Sequence, residues 1–296
     1  MEFEYLENET MLEAEKKTTN QFDNRMVRMA SLLAKQLKLS LYEEKLFAMA
    51  LSQLDFFNDK DMYVDLYVKD MQERLDITSG SDYSDLRDRL SNLMSKTKIR
   101  IVIDKETNDT LDGYLIRSVR TLNKRGAIRV RFDDEFKPVL KLAKHAYISI
   151  PLDDPQSYKT VYAILLQRNL TIMYKVGTQF PRVQNFIFTT KQMKDMYGLS
   201  ETDYCYQNGK NKGKFKRPEF EKRTIISAVN EINEKSQVMT VEWKKERIRG
   251  EIYYRFYVSI ATKRKEKPPV LDHEPIEFGE VEQIDPAQMS IEDFGY

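Results

Sequence analysis

The two halves of the chain repeat one order of predicted elements, and this repeat constrains the fold more than any other feature of the sequence. Each half opens with a long apolar helix, passes through a short strand and a short helix, and closes with an amphipathic helix followed by a β-hairpin. The amphipathic helices are "SGSDYSDLRDRLSNLMSK" in the first half and residues 218–234 in the second. A helix-turn-helix followed by a hairpin, or wing, is the order of a winged helix. We therefore predict an α+β chain of two tandem winged-helix domains with flexible termini.

The length of 296 residues accommodates two domains of ordinary size. We place the boundary near Pro151, where the first hairpin has been completed and the next long helix begins. The predicted divisions are an acidic extension (1–22), winged-helix domain 1 (23–150), winged-helix domain 2 (151–262) and an acidic tail (263–296).

Local signals predict where several elements begin and end. Ser40 with Glu43, and Thr189 with Gln192, form capping boxes that satisfy free amides at helix starts. The aspartate pairs 133–134 and 153–154 also suit helix caps, and in the second pair Asp154 precedes a proline at the first helical position. Residues 26–37 are expected to be mostly helical. Strands are predicted for "KIRIVID", "DGYLIRSVRTL" and "AIRVRFD", and the last two strands of the chain are joined by the charged turn "KKERIRG".

Charge is unevenly distributed along a nearly neutral chain. The net charge is +1, with 48 basic and 47 acidic residues. Between residues 210 and 223, seven residues are basic and two are acidic, whereas residues 268–296 contain eight acidic residues and no lysine or arginine. The positive charge is therefore concentrated just before and within one predicted helix of the second domain.

The helix predicted at 218–234 has the pattern of a DNA-reading helix. Its apolar residues Ile225, Ala228, Val229 and Ile232 fall on one side and should pack inward. The opposite side carries side chains that form hydrogen bonds with base edges in the major groove. The residues predicted to read bases are Glu219, Arg223, Ser227 and Asn230.

Basic segments flank this helix on both sides, one in the loop before it and one in the wing. In a helix-turn-helix protein such positions lie over phosphates, where they add affinity without reading sequence. The predicted contacts to the DNA backbone are Lys210, Lys212, Lys214, Lys216, Arg217, Lys222, Lys244, Lys245, Arg247 and Arg249.

The matching helix of the first domain is less suited to DNA because it carries Asp82, Asp85 and Asp88. We expect this domain to contribute protein contacts and an auxiliary contact to DNA. An equal interpretation is that its cations only lie on strand faces exposed to solvent. The predicted auxiliary residues are Arg87, Lys98, Arg117, Lys124 and Arg125.

Several classes of function lack their sequence signals. There is no apolar run long enough for a membrane span and no basic, apolar secretion signal at the N-terminus, so we expect a cytoplasmic protein. The two histidines, His145 and His273, are far apart and form no metal-holding pair for DNA nicking, and no phosphate-binding loop is present. Cys205 is the single cysteine and has no disulfide partner within the chain. We predict no cofactor, no metal site and no catalytic activity.

Several stretches, taken in order, resemble the iteron-binding plasmid replication initiators, the Rep proteins with tandem winged helices. The stretches are "LSLYEEKLFAMAL", "YSDLRDRLSNLMSKTKIRI", "GAIRVRFDDEFKPVLKLAK", "SYKTVYAILL" and "EFEKRTIISAVNEIN". The last is similar to the recognition helix of the family. The resemblance covers roughly residues 24 to 260, and the lysine-rich loop at 208–216 is longer than is usual there.

The resemblance implies a plasmid replication initiator that binds directly repeated duplex DNA at an origin. It implies that the protein opens adjacent DNA, recruits the host initiator and the replicative helicase, and represses its own gene. It also implies a homodimer through domain 1 in equilibrium with the monomer, with domain 2 as the main DNA reader. The closest alternative is a winged-helix transcriptional repressor without initiator activity; a nicking enzyme and a protein-interaction module are the other classes considered.

Overall fold

The structure is a computed structural model, and it describes residues 20–23, 25–30, 37–54, 62–77, 83–104, 109–137, 140, 147–176 and 183–261. Most of the predicted acidic extension, the tail from 263 to 296, and both histidines lie outside these residues.

The described part of the first domain combines α-helices and strands, with two short 3-10 helices at Asn123–Arg125 and Asp134–Phe136. In chain order the elements are β1 (Met26–Ala30), α1 (Leu41–Gln53), β2 (Tyr63–Tyr67), α2 (Val68–Arg74), α3 (Tyr83–Lys96), β3 (Lys98–Asp104), β4 (Asp109–Tyr114), β5 (Ile116–Leu122), β6 (Ala127–Phe132) and β7 (Tyr147–Pro151). The capping box of Ser40 and Glu43 starts α1 as predicted. On α3, Leu86, Leu90 and Leu93 are fully buried, which confirms its amphipathic face.

Strands of the first domain form a three-stranded antiparallel sheet in the order β2-β6-β5 and a separate β3-β4 hairpin. In chain order, the β3-β4 hairpin follows α3 and precedes the wing strands β5 and β6. The first domain therefore has one pair of strands more than the repeat predicts. The stretch predicted as one strand, residues 112–122, is broken at Leu115. This residue is buried, and its backbone bonds with Thr97 and Asp133 instead of a ladder partner.

The helix predicted over residues 26–37 is wrong for its first part, which is strand β1; residues 31–36 are outside the described ranges. β1 pairs antiparallel with β7, from Met26 opposite Pro151 to Ala30 opposite Tyr147. Val27 and Met29 alternate into the core. Pairing with a distant strand has overridden the local helical preference.

The second domain is the simpler winged helix. Its elements are α4 (Asp153–Ser157), α5 (Val161–Val176), β8 (Val183–Thr189), α6 (Thr190–Met196), α7 (the contiguous segments Arg217–Phe220, Glu221–Ile226 and Ser227–Lys235), β9 (Met239–Ile248) and β10 (Glu251–Ile260). The sheet order β8-β10-β9 corresponds to β2-β6-β5 in the first domain. The Thr189–Gln192 capping box starts α6, and Gly198 ends that turn with a φ of +67°.

Asp154 does not cap a helix, contrary to the prediction. Its side chain is completely buried, and its carboxylate accepts hydrogen bonds from the Gln167 amide, the Ser236 hydroxyl and the Gln237 backbone. Burial raises the pKa of this carboxyl, while the three hydrogen bonds act in the opposite direction. The carboxylate thus joins α4 and α5 to the segment that follows α7.

The helix predicted from Asp154 onward is also interrupted, because α4 ends at Ser157 and α5 begins at Val161. The Glu231 carboxylate of α7 accepts the backbone N–H groups of Lys159 and Thr160, at 2.7 and 3.2 Å. A side chain from the predicted DNA-reading helix therefore stabilises the start of the long helix beneath it.

Helix α5 belongs to both hydrophobic cores. It contributes Ile172 to the core of the first domain, and Leu166 and Leu170 to the core of the second. Two polar contacts cross the same junction: the Lys45 ammonium donates to the Gln156 carbonyl at 2.7 Å, and the Gln156 amide donates to the Lys45 carbonyl at 3.0 Å. The domains are thus joined by packing as well as by the chain.

Candidate nucleic-acid interface

Helix α7 contains a wide turn that the sequence interpretation missed. The segment Glu221–Ile226 is π-helical, and the Ser227 N–H donates to the Lys222 carbonyl five residues earlier. Buried residues recur every four positions, at Phe220, Thr224, Ala228 and Ile232. Twelve residues in a regular α-helix would exceed three turns and rotate this row by about 120°. The wide turn absorbs the difference, so that one face of α7 stays buried along its length.

The inward and outward faces of α7 agree with the predicted pattern. Ile225, Ala228, Val229 and Ile232 are all buried, as expected. On the opposite face Arg223 and Asn230 are exposed, and Ser227 lies partly exposed between them. The side chains predicted to read bases are thus available to solvent, and their role in DNA binding stays a prediction.

Glu219, the fourth predicted reader, is engaged with cations of its own segment. Its carboxylate lies 3.1 Å from the Arg223 guanidinium and 3.7 Å from the Lys216 ammonium. In the free protein Glu219 therefore orients Arg223.

The lysine-rich segment before α7 is a small β-hairpin. Cys205 and Phe215 form an isolated bridge, and further backbone bonds join Tyr206 with Lys214 and Gly213. The lysines predicted to contact phosphates divide into two groups along this hairpin: Lys210, Lys212 and Lys214 are exposed, whereas Lys216 is half-buried.

Lys194 of α6 anchors the base of this hairpin. Its ammonium is nearly buried and donates to the carbonyls of Glu201 and Asp203 at 2.8 Å each, with Ser200 at 3.4 Å. The same ammonium lies 4.6 Å from the centre of the Phe215 ring. Three acceptors and a ring face account for the donors of a buried lysine, so this is a structural contact.

The wing is longer and its turn tighter than predicted. The stretch predicted as a turn, residues 244–250, is strand β9 as far as Ile248, and only Arg249 and Gly250 form the loop. Both have positive φ, +48° and +89°. Two central residues of this kind give the type I′ hairpin, whose twist matches that of the strands. Lys244, Lys245 and Arg247 therefore project from a strand.

Lys244 is bound to the wing itself. Its ammonium lies 2.9 Å from the Glu246 carboxylate and 5.5 Å from the centre of the Tyr257 ring. The hydrogen bond to Tyr257 raises the pKa of this lysine above its usual value, and the hydrogen bond to Glu246 adds to the rise.

A buried carboxylate, Glu221, ties α7 to the wing. It accepts two hydrogen bonds from the Lys245 ammonium, at 2.9 and 3.1 Å, and one from the Tyr254 hydroxyl at 3.1 Å. The Tyr254 hydroxyl in turn accepts from Arg217, which also donates to the Thr190 hydroxyl. Two of the predicted phosphate contacts, Arg217 and Lys245, are thus held in fixed positions.

An open cleft of about 730 Å³ separates the start of α6 from the wing. Four cations and one carboxylate line it: Lys191, Arg217, Lys245, Arg247 and Glu251. Lys191 is exposed and was not among the predicted residues. Lys191 lies in the first turn of α6, two residues after the cap Thr189. This position next to a predicted helix start is the sequence signal that could have indicated it. The cleft has the charge and the polar groups to hold a phosphate.

The cations predicted as auxiliary contacts in domain 1 mostly have carboxylate partners. Arg87 pairs with Asp88, Lys98 with Asp112, Arg117 with Asp134 and Arg125 with Asp65, at distances from 2.7 to 3.9 Å. Lys124 is exposed beside Arg125. They are spread over α3, β3, β5 and the turn that follows, in contrast to the cations that surround α7.

No helix within the described part of the chain is both long and apolar enough to cross a membrane. Among the same residues, no group of three or more histidine, cysteine or acidic side chains is placed to hold a metal ion.

The fold and the site define the chain as a tandem winged-helix protein with an exposed helix and basic flanks in its second domain. Two family models match the chain: "Initiator Replication protein, WH1" over residues 24–171, which includes α4 and part of α5, and "Initiator Rep protein, WH2" over residues 189–258. The chain therefore belongs to the family of replication initiator (Rep) proteins. This confirms the resemblance noted in the sequence and the predicted fold of two tandem winged helices.

The fold is also similar to that of a solved initiator. The Pi initiator protein, crystallised in complex with iteron DNA, is 15% identical to this chain, with a TM-score of 0.59. The match covers 81% of this chain and 99% of the other. No curated protein sequence matches.

Proposed function

We propose that this chain is a plasmid replication initiator that binds directly repeated duplex DNA at its origin. In this proposal it opens the adjacent DNA, recruits the host initiator and the replicative helicase, and represses its own gene as a dimer formed through domain 1. Membership in the initiator family supports the role in replication, and the similarity in fold to a protein crystallised with iteron DNA supports repeated DNA as the ligand.

The observation that carries the proposal is the outward face of α7. Arg223, Ser227 and Asn230 follow one another at spacings of four and three residues, all available to solvent, while the opposite face is fully packed. In the major groove an arginine forms two hydrogen bonds with guanine, an asparagine pairs similarly with adenine, and a serine reaches either. The helix thus presents a set of readers on a rigid support.

Cations on both sides of α7 supply the affinity in this proposal. The exposed hairpin lysines lie on one side and the basic cleft beside the wing on the other. Contacts to phosphate fix the position and orientation of a protein on DNA and make its affinity depend on salt. Because Arg217 and Lys245 are held by Tyr254 and Glu221, they need little reordering to receive a phosphate.

The test begins with a duplex selected by the full-length chain from a random-sequence pool. Copies of that duplex in tandem, beside an AT-rich segment on a supercoiled plasmid, are then probed with permanganate for unpaired thymines. We expect sequence-specific binding and protein-dependent opening. Binding without opening will favour the transcriptional repressor, and failure to select any duplex will contradict both functions. A nicked product with Mg²⁺ or Mn²⁺ will instead indicate an enzyme.

A further inference from the structure

Ile226 is an exposed aliphatic residue in the middle of the polar face of α7. Its side chain is 39% exposed, whereas its neighbour Ile225 is fully buried. It follows Arg223 by three positions and precedes Asn230 by four, and residues so spaced are neighbours on a helix surface. An apolar side chain therefore lies among the groups that the proposed function assigns to base reading.

Single exposed hydrophobic residues are ordinary on protein surfaces. The distribution here is less ordinary. Six large hydrophobic residues are exposed in the described part of the chain, and four of them are tyrosines, which carry a hydroxyl. The two aliphatic ones are Ile226 on α7 and Ile248 in the last position of β9, beside the turn of the wing. Both belong to the elements that the proposal places against DNA.

The position of Ile226 on α7 makes it face outward. Thr224 and Ala228, two residues before and two residues after it, are fully buried, and two residues of a helix correspond to a rotation of about 200°. A branched side chain on a helix has essentially one χ1 rotamer. Ile226 thus presents its methyl groups in a fixed direction, at little cost in conformational entropy.

We infer that Ile226 is a specificity-determining residue that contacts the 5-methyl group of a thymine in the major groove. This inference rests on the proposed function. Thymine is the base that displays a methyl group in that groove, and apolar side chains are its usual partners. Arg223 and Asn230 read hydrogen-bonding edges on either side, so an apolar residue between them favours a thymine within the same stretch of bases.

The test uses uracil, which pairs as thymine does but lacks the methyl group. Each thymine of the selected duplex is replaced singly by uracil, and the affinities of the wild-type chain and of Ile226→Ala are measured. At one thymine we expect the wild-type chain to lose about fourfold in affinity, the equivalent of one buried methyl group. Ile226→Ala should bind the thymine and uracil duplexes equally at that position. Ile226→Val should retain part of the difference.

Ile248→Ala is the matched control, since it removes the same atoms from a residue of nearly equal exposure. It should keep the full uracil penalty at the thymine assigned to Ile226. Uracil penalties that are equal in the wild-type chain and Ile226→Ala, or absent throughout, will overturn the inference while leaving the proposed function intact. If no duplex is selected at all, the proposed function fails with it.

Discussion

The Arg168 guanidinium of α5 lies against the Glu44 carboxylate of α1, and both side chains are buried where the two domains meet. One of the two hydrogen bonds between them is 3.1 Å long. The ion pair connects residues 124 positions apart in the chain, across the same junction as the Lys45–Gln156 contacts. Each charge depends on the other, because neither has access to water.

Arg168→Met should lower the free energy of unfolding by about 3–5 kcal/mol, because Glu44 is left buried without its partner. The double variant Arg168→Met with Glu44→Leu should recover most of that loss, since an apolar pair of similar volume carries no desolvation cost. Urea denaturation of the full chain measures both. Equal losses in the single and double variants will show that Arg168 acts through packing rather than charge.

The exposed lysines of the hairpin and the predicted base-reading residues of α7 should affect DNA binding differently. Lys210→Ala or Lys212→Ala should weaken binding to all duplexes alike and reduce the salt slope by about one. Arg223→Ala or Asn230→Ala should cost about 1–3 kcal/mol at the selected duplex and relax the preference at one base pair. Titrations at several salt concentrations, with selected and unrelated duplexes, separate the two profiles. If all four variants give one profile, the proposed division between affinity and specificity is wrong.

Tyr254→Phe removes the hydroxyl that links Glu221 with Arg217. We expect it to cost about 1–3 kcal/mol in stability, because the bond to a buried carboxylate is lost. Affinity for the selected duplex should also fall, since α7 and the wing lose a shared contact. The adjacent Tyr253→Phe is the control: its hydroxyl bonds to the exposed Glu251, and stability and affinity should remain unchanged. Similar losses in both variants will contradict a special role for Tyr254.

Arg249 occupies a left-handed backbone position that asparagine adopts more easily. Arg249→Asn should therefore stabilise the wing by about 1 kcal/mol, and thermal unfolding of both the wild-type chain and the variant measures this change. The same change should weaken DNA binding and reduce its salt slope, because Arg249 is a predicted phosphate contact. Opposite signs for stability and binding are the expected result. If the variant is stabilised and its affinity for DNA is unchanged, Arg249 does not contact the DNA.

Local patterns were sufficient for much of the second domain. The capping box at Thr189, the left-handed Gly198 and the apolar row of α7 are each set by neighbouring residues, and the structure agrees with them. The wide turn in α7 left a signal in the sequence, the repeated spacing of four between buried residues. In a regular α-helix, residues spaced by four stay on one face for about two turns, but over three turns the row moves away from that face.

Contacts between distant segments account for what the sequence did not predict. β1 is a strand because β7, more than a hundred residues later, pairs with it. Asp154 is surrounded by donors from α5 and from the end of α7. The buried partners of Arg217 and Lys245 likewise come from separate elements, so that their charges alone could not reveal how they are held.

The base of the lysine hairpin is fixed against α6 and α7. The length of the exposed part of the hairpin therefore does not affect the position of α7. The base of the hairpin is held by Lys194 and by packing of Phe215 against Phe220, whose ring centres lie 5.3 Å apart. Under the proposed function, residues added or removed at the exposed tip would change how far its lysines reach along a DNA strand, while α7 keeps its position. The reach of the positive charge would then vary independently of the bases that α7 is proposed to read.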